Sequence, residues 1–234
     1  MNMRDMAMGY DRASTVFSPD GRLLQVEYAR KTVNQGATAV GVRCKDGVVL
    51  LADKRIVDKL VVPHSVEKVY KIDDHIGATL AGLVSDGRVL VDKARLTAQR
   101  NNLTYGEPVD VITIVKDIAD YCQAYTQYGG IRPFGVSLIV GGVNEVPKLY
   151  VVELSGVYFE YKATAIGEGA RVVNKYLESK YKENITVKEG VKLALNALKS
   201  FLGPKFELSR IEAAVIHKDP KRFVKLTEQE LSRY

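Results

Sequence analysis

The stretch Tyr10–Arg30, YDRASTVFSPDGRLLQVEYAR, changes backbone character along its length. Pro19 fixes its own φ and biases Ser18 toward extended geometry, and Asp20-Gly21 completes a reverse turn. From Arg22 to Val33 neither Gly nor Pro interrupts helix formation, so the chain turns and then becomes helical. This order predicts a soft arm over residues 1–18, a turn and helix over 19–34, and a body over 35–234.

The body reads as alternating blocks. Gly36 opens β-rich segments at Thr38–Val42, Val48–Ala52, Val66–Ile72 and Ile76–Ala81, with Asp46-Gly47 and Asp73-Asp74 as turns. Leu90, Ala94 and Ala98 then recur at helical spacing, as do Val111, Val115, Ile118, Cys122 and Tyr125 after Pro108. Strand-like segments return at Val136–Val140, Leu149–Val152, Tyr158–Tyr161 and Ala163–Ile166, with Gly141-Gly142 and Ser155-Gly156 as turns. A helix is expected from near Gly169 and another from Val187, the second behind Thr186 and Glu189 at capping-box spacing. Ala213–Ile216 and Phe223–Val224 close the chain as strands, with a helix over Thr227–Arg233. Strands, helices, strands and helices joined by tight hairpins predict an α+β domain in which two antiparallel sheets pack together under helices.

At 234 residues and 46% hydrophobic content, one large domain is the simplest reading. The balance of 34 Lys+Arg against 28 Asp+Glu gives +6, but the signs alternate, as in Lys45-Asp46, Asp53-Lys54, Glu67-Lys68 and Lys182-Glu183. Such mixing makes solvated faces rather than a stripe that tracks phosphates, so neither nucleic acid nor an acidic membrane is expected as a partner. Cys44 and Cys122 have no CxxC or metal-ligand spacing, and no apolar run reaches signal-peptide or bilayer length. A soluble cytoplasmic protein in a reducing compartment is expected.

The SPDGRLLQVEYA segment with its preceding YDR resembles the N-terminal signature of proteasome α-subunits of the archaeal type. YTQYGGIRPFG at Tyr125–Gly135 and EYKATAIGEG at Glu160–Gly169 are similar to the same pattern, and the resemblance covers essentially the whole chain. It implies a four-layer αββα sandwich of the N-terminal nucleophile hydrolase type. Laid against catalytic sister subunits, Gly36–Val42 places Ala37 where they carry their terminal Thr. Alanine has no nucleophilic atom, and the 36 residues ahead of it leave no free amine as base. Asp53 and Lys68 fall near the acid and lysine that serve that nucleophile, as architecture put to another use. Thr38 reads as a strand residue bonded to its sheet, and no catalytic residue, metal or cofactor is expected. Asp73-Asp74-His75 reads as a polar turn rather than a metal cluster, and Gly167-Glu168-Gly169-Ala170 as a strand-to-helix turn.

The resemblance further implies a homo-heptameric ring of this chain, stacked on proteasome β-subunits, that admits unfolded polypeptides. It assigns Tyr10, Asp11, Pro19 and Tyr28 to an open-gate cluster and Gly129 and Gly130, within Tyr125–Phe134, to an axial pore loop. It assigns Lys68, Gly36 and Leu83 to the docking of an activator's C-terminal carboxylate, such as that of a regulatory ATPase. An ammonium suits a carboxylate, Gly36 permits close backbone approach, and Leu83 supplies an apolar wall. The plainer reading of Lys68 is an exposed strand lysine paired with Glu67. The alternatives to a gate and scaffold role are an active hydrolase processed to expose Thr38, and a carboxylate-binding adaptor that does not assemble.

Overall fold

The computed structural model describes residues 9–234 apart from residues 57 and 59; residues 1–8 of the expected arm lie outside the described residues. A helix, α1 (Leu24–Gln35), precedes a hairpin of β1 (Ala39–Cys44) and β2 (Gly47–Asp53) and a second hairpin of β3 (Val69–Asp73) and β4 (Ile76–Gly82). Helices α2 (Val84–Tyr105) and α3 (Val111–Gln127) follow. The pattern then repeats with β5 (Val136–Val143), β6 (Pro147–Val152), β7 (Tyr158–Glu160), β8 (Ala163–Ile166), α4 (Ala170–Lys180) and α5 (Val187–Leu202). β9 (Ile211–His217), β10 (Arg222–Leu226) and the short α6 (Glu228–Leu231) complete the chain.

The strands form two five-stranded antiparallel sheets, ordered β10-β9-β2-β1-β8 and β3-β4-β5-β6-β7. Their facing sides meet through Val48, Leu50, Ile139, Leu149 and Ile216. On one outer side Leu90, Ile114 and Ile118 of α2 and α3 pack on Leu80, Leu138 and Val140. On the other, Val191, Ala194 and Leu198 of α5 pack on Val40, Val42, Leu51 and Ala213. This is the four-layer αββα sandwich that the resemblance implies. The alternation of side chains along each strand builds it, sending one set to the partner sheet and the other to the helices.

Local chemistry sets the element ends. The expected capping box is present: Thr186 Oγ1 accepts the Glu189 N–H at 3.3 Å and Glu189 accepts the Thr186 N–H at 2.8 Å. Thr227 and Glu230 repeat it at α6. Several boundaries differ from expectation. α2 starts at Val84, ahead of Arg88, because its first turn buries Asp86 and Gly87. β3 starts at Val69 rather than Val66, because the Lys68 and Val69 N–H groups turn to the Glu212 carboxylate at 2.7 and 3.2 Å.

Gly141-Gly142 is not a turn. β5 runs through both to Val143, paired with Leu149 and Lys148, and the chain reverses over residues 144–146. These glycines serve packing: a Cβ at position 141 would lie 2.6 Å from Val48 Cγ1 across the sandwich, and one at 142 would lie 2.7 Å from Val111 Cγ2. Gly141→Ala is therefore expected to destabilise the chain by about 1–3 kcal/mol by overpacking. Guanidinium unfolding of the two proteins checks this, and an unchanged midpoint would mean that the sheets have slack at that point.

Candidate functional site

α1 ends where four backbone segments converge without room for side chains. A Cβ on Gly36 would lie 2.2 Å from the Gly82 nitrogen, and one on Gly82 would lie 2.1 Å from the Gly135 oxygen. Gly167, at φ +96°, comes similarly close to the Gly36 carbonyl, which accepts the Glu168 N–H at 2.8 Å. The close approach at Gly36 is thus made by the protein's own chain. Leu83 leaves the junction 40% exposed, and its N–H donates to Gly135 O at 2.9 Å.

Lys68 lies beneath this junction. It is neither exposed nor paired with Glu67: it is 3% exposed, and Glu67 pairs with Lys225 at 2.6 Å. The Lys68 ammonium donates to Ala37 O at 2.9 Å, and no carboxylate among the described residues comes within ion-pair distance of it. Burial pushes its pKa down to about 8, against the upward pull of Asp53 and Glu212 and with a downward push from Arg55. Other buried charges here are matched. Asp53 takes two bonds from Arg210, both 2.7 Å, and Glu212 takes the backbone bonds described above and Lys225 at 2.7 Å. Contacts therefore link the three expected docking residues: Lys68 touches Ala37, Gly36 packs on Gly82, and Leu83 follows Gly82.

Thr38 is buried, and its hydroxyl accepts the Gly169 N–H at 2.8 Å, which ties β1 to the start of α4. It stands just outside the strand, and its carbonyl accepts the Asp53 N–H at 2.9 Å. Gly167-Glu168-Gly169 is the strand-to-helix turn expected. Asp74-His75 turns the β3–β4 hairpin, with His75 buried and its Nε2 2.8 Å from Val109 O. No group of potential metal ligands occurs among the described residues. Both cysteines are buried and free, and burial pushes each thiol up to about 12.

Of the four residues expected at a gate, Asp11 and Tyr28 lie near one another. Tyr28 and Asp11 act on each other electrostatically: partial burial first, then the Asp11 carboxylate, raises the phenol's pKa. Gln25 Nε2 donates to the Asp11 carbonyl, fixing the same segment on α1. Tyr10 lies in a turn closed by the Arg12 N–H on Gly9 O at 3.1 Å. Pro19 is exposed in the expected reverse turn, closed by the Gly21 N–H on Ser18 O at 2.8 Å and the Ser18 N–H on Arg22 O at 2.9 Å. No hydrogen bond among the described residues ties Tyr10 or Pro19 to the Asp11–Tyr28 pair.

α3 extends through Tyr125 to Gln127, so the Gly-rich loop is Tyr128–Phe134, and Gly129 and Gly130 face open space at its tip. The sequence did not single out what anchors it. The buried Asp86 carboxylate accepts two bonds from Arg132, at 2.6 and 2.7 Å, and the Gly135 N–H at 2.8 Å. The Arg132 guanidinium, together with the Gly135 N–H, holds that carboxyl below its ordinary pKa despite burial. Ser14 Oγ donates to Tyr128 O at 3.4 Å, so the arm rests on the same loop. An acidic residue on the first turn of α2, opposite an Arg-Pro pair, is the only signal that a single sequence offers for this clamp.

The family model of proteasome subunits matches residues 33–216, and that of the N-terminal signature of A-type proteasome subunits matches residues 10–31. The chain is 53% identical over 225 residues to a proteasome alpha subunit of Thermococcus sibiricus, covering 96% of this chain and 86% of that one. A proteasome alpha subunit of Archaeoglobus fulgidus is 51% identical over 227 residues, covering 97% and 92%. One of Methanosarcina barkeri is 49% identical over 228 residues, covering 97% and 92%. The signature match falls on the turn and helix that carry the arm, and the longer match on the αββα body, so the chain belongs to the proteasome subunit family, in its α type.

Proposed function

We propose that this α-type subunit is the non-catalytic gate and scaffold of a 20S core particle in the cytoplasm. Seven copies form each outer ring, stacked on rings of β-subunits. The ring admits unfolded polypeptides and docks the C-terminal carboxylate of an activator such as a regulatory ATPase. The observation that carries the docking reading is Lys68, a buried ammonium whose hydrogen bond is to a carbonyl and which lacks a paired carboxylate among the described residues. A terminal carboxylate reaching it across Gly36 and Leu83 would complete the charge pairing that Asp53 and Glu212 already have.

The same contacts offer a route from dock to gate. Leu83 is bonded to Gly135, Gly135 shares the Asp86 carboxylate with Arg132, and the Tyr128 carbonyl at the far end of that loop receives Ser14 of the arm. A ligand pressing on Leu83 or α1 thus acts on two supports of the arm, the Gln25–Asp11 bond and the Ser14–Tyr128 bond. The absence of catalysis rests on Ala37 at the nucleophile position and on Thr38, whose hydroxyl is buried and already bonded. Among the described residues no helix is long and apolar enough to cross a membrane.

Three outcomes are expected. Lys68→Ala abolishes the stimulation of peptide hydrolysis by a docking activator while ring assembly, followed by light scattering, is retained; unchanged stimulation removes Lys68 from this role. Docking requires the protonated ammonium, whose pKa is about 8, so binding of a peptide with a free C-terminal carboxylate holds below that pH and weakens as pH rises through it. Fluorescence anisotropy between about pH 6 and 9 reads this, and a flat profile would contradict it. Deleting residues 1–11 raises basal peptide entry into the assembled particle; no rise would mean that the arm is not the barrier.

A further inference from the structure

We propose that the hollow at the β8 edge of the sandwich, beneath α1, is a binding site for a small uncharged molecule with two hydrogen-bonding groups on a compact apolar body. The inference is independent of the gate reading and rests on a cavity of about 510 Å³ at the β8 edge of the sandwich. That volume falls in the range of small-molecule pockets. Its apolar walls come from all sides: Val33 of α1, Val151 of β6, Ile166 of β8 and Leu177 of α4.

Polar groups such as Asn34, Tyr161 and Asn174 also line the cavity, and two of its side chains are polar and buried. Ser137 and Thr164 are each 5% exposed, and neither hydroxyl finds a hydrogen-bond partner among the described residues. They enter from opposite sheets. Ser137 shares the inner face of β5 with Ile139, while its neighbours Val136 and Leu138 face the helices. Thr164 pairs with Gly41, whose Cβ position faces Ile139 and Leu149 in the inter-sheet layer. Buried hydroxyls are normally bonded, and two left open across one cavity mark where a ligand supplies the missing bonds.

The surroundings restrict its chemistry. Around the cavity the charged groups already have partners: Arg30 pairs with Glu153 at 3.3 Å and Lys162 with Glu183 at 3.0 Å, while Glu178 is exposed to water. What the interior lacks is hydrogen bonding, not a counter-ion, so the ligand is neutral. Nor is this a place for strand addition. The outward N–H and C=O of Ala165 on the β8 edge are taken by the Asn174 side chain, at 2.7 and 3.1 Å. A peptide strand would have to displace that amide, whereas a small molecule bridging the two hydroxyls leaves it in place.

The test uses the full chain in its native assembly, labelled at Ile, Leu and Val methyls, titrated with trans-1,4-cyclohexanediol and followed by NMR. Expected are saturable shifts at Val151, Ile166 and Leu177, with affinity reduced roughly three- to tenfold by Thr164→Val and by Ser137→Ala, in line with the loss of one hydrogen bond each. Thr164→Val keeps the side-chain shape, and unchanged thermal midpoints separate a lost bond from a disturbed fold. Cyclohexanol, with one hydroxyl, binds more weakly and is insensitive to one of the two substitutions. The proposal is overturned if no shift saturates, if the double variant binds the diol as the parent does, or if a diol-soaked crystal shows only water between the hydroxyls.

Discussion

Four glycines, at positions 36, 82, 135 and 167, let the end of α1, the β4–α2 link, the entry to β5 and the β8–α4 turn touch backbone to backbone. A Cβ at position 36 or 82 would sit at about 2 Å from a main-chain atom that no rotamer change can move. The rest of the site hangs from this junction. It sets α1 across the top of the sandwich, brings Leu83 beside Gly135, and closes over Ala37 so that its carbonyl meets Lys68. Because both sheets contribute strands to the junction, the arm, the loop and Lys68 share one base.

Charge is distributed around that base unevenly. Asp53, Asp86 and Glu212 are each held by a cation or by backbone N–H groups in near-ideal geometry. Among the described residues Lys68 has only a carbonyl, and burial costs its charged form enough to bring the pKa to about 8. In a catalytic relative a lysine so placed would serve a nucleophile; beside Ala37 it has none to serve. That unpaired charge is the feature on which the proposed docking of a carboxylate rests.

Much of this was legible in the residues. Pro19 and Gly21 announced the turn, Thr186 and Glu189 the start of α5, and the two strand-helix blocks the α+β order, because each rests on forces acting within a few residues. Gly141-Gly142 misled for the opposite reason. In a local reading two glycines are a turn, but here they thin β5 so that Val48 and Val111 can approach. Lys68 beside Glu67 reads as a solvated pair until the Glu212 carboxylate, 144 residues away, captures its N–H and draws the segment inward.

The sequence by itself determined most of the order of strands and helices, that Ala37 offers no nucleophilic atom, and that a turn and a helix precede the first strand. These follow from side-chain chemistry and backbone preference at each position. Only the tertiary structure decided that Lys68 is buried without a paired carboxylate among the described residues, that Asp86 and Arg132 clamp the loop Tyr128–Phe134, and that Ser137 and Thr164 line one cavity. Each depends on the distance between residues far apart in the chain, which packing of the two sheets sets and no local pattern records.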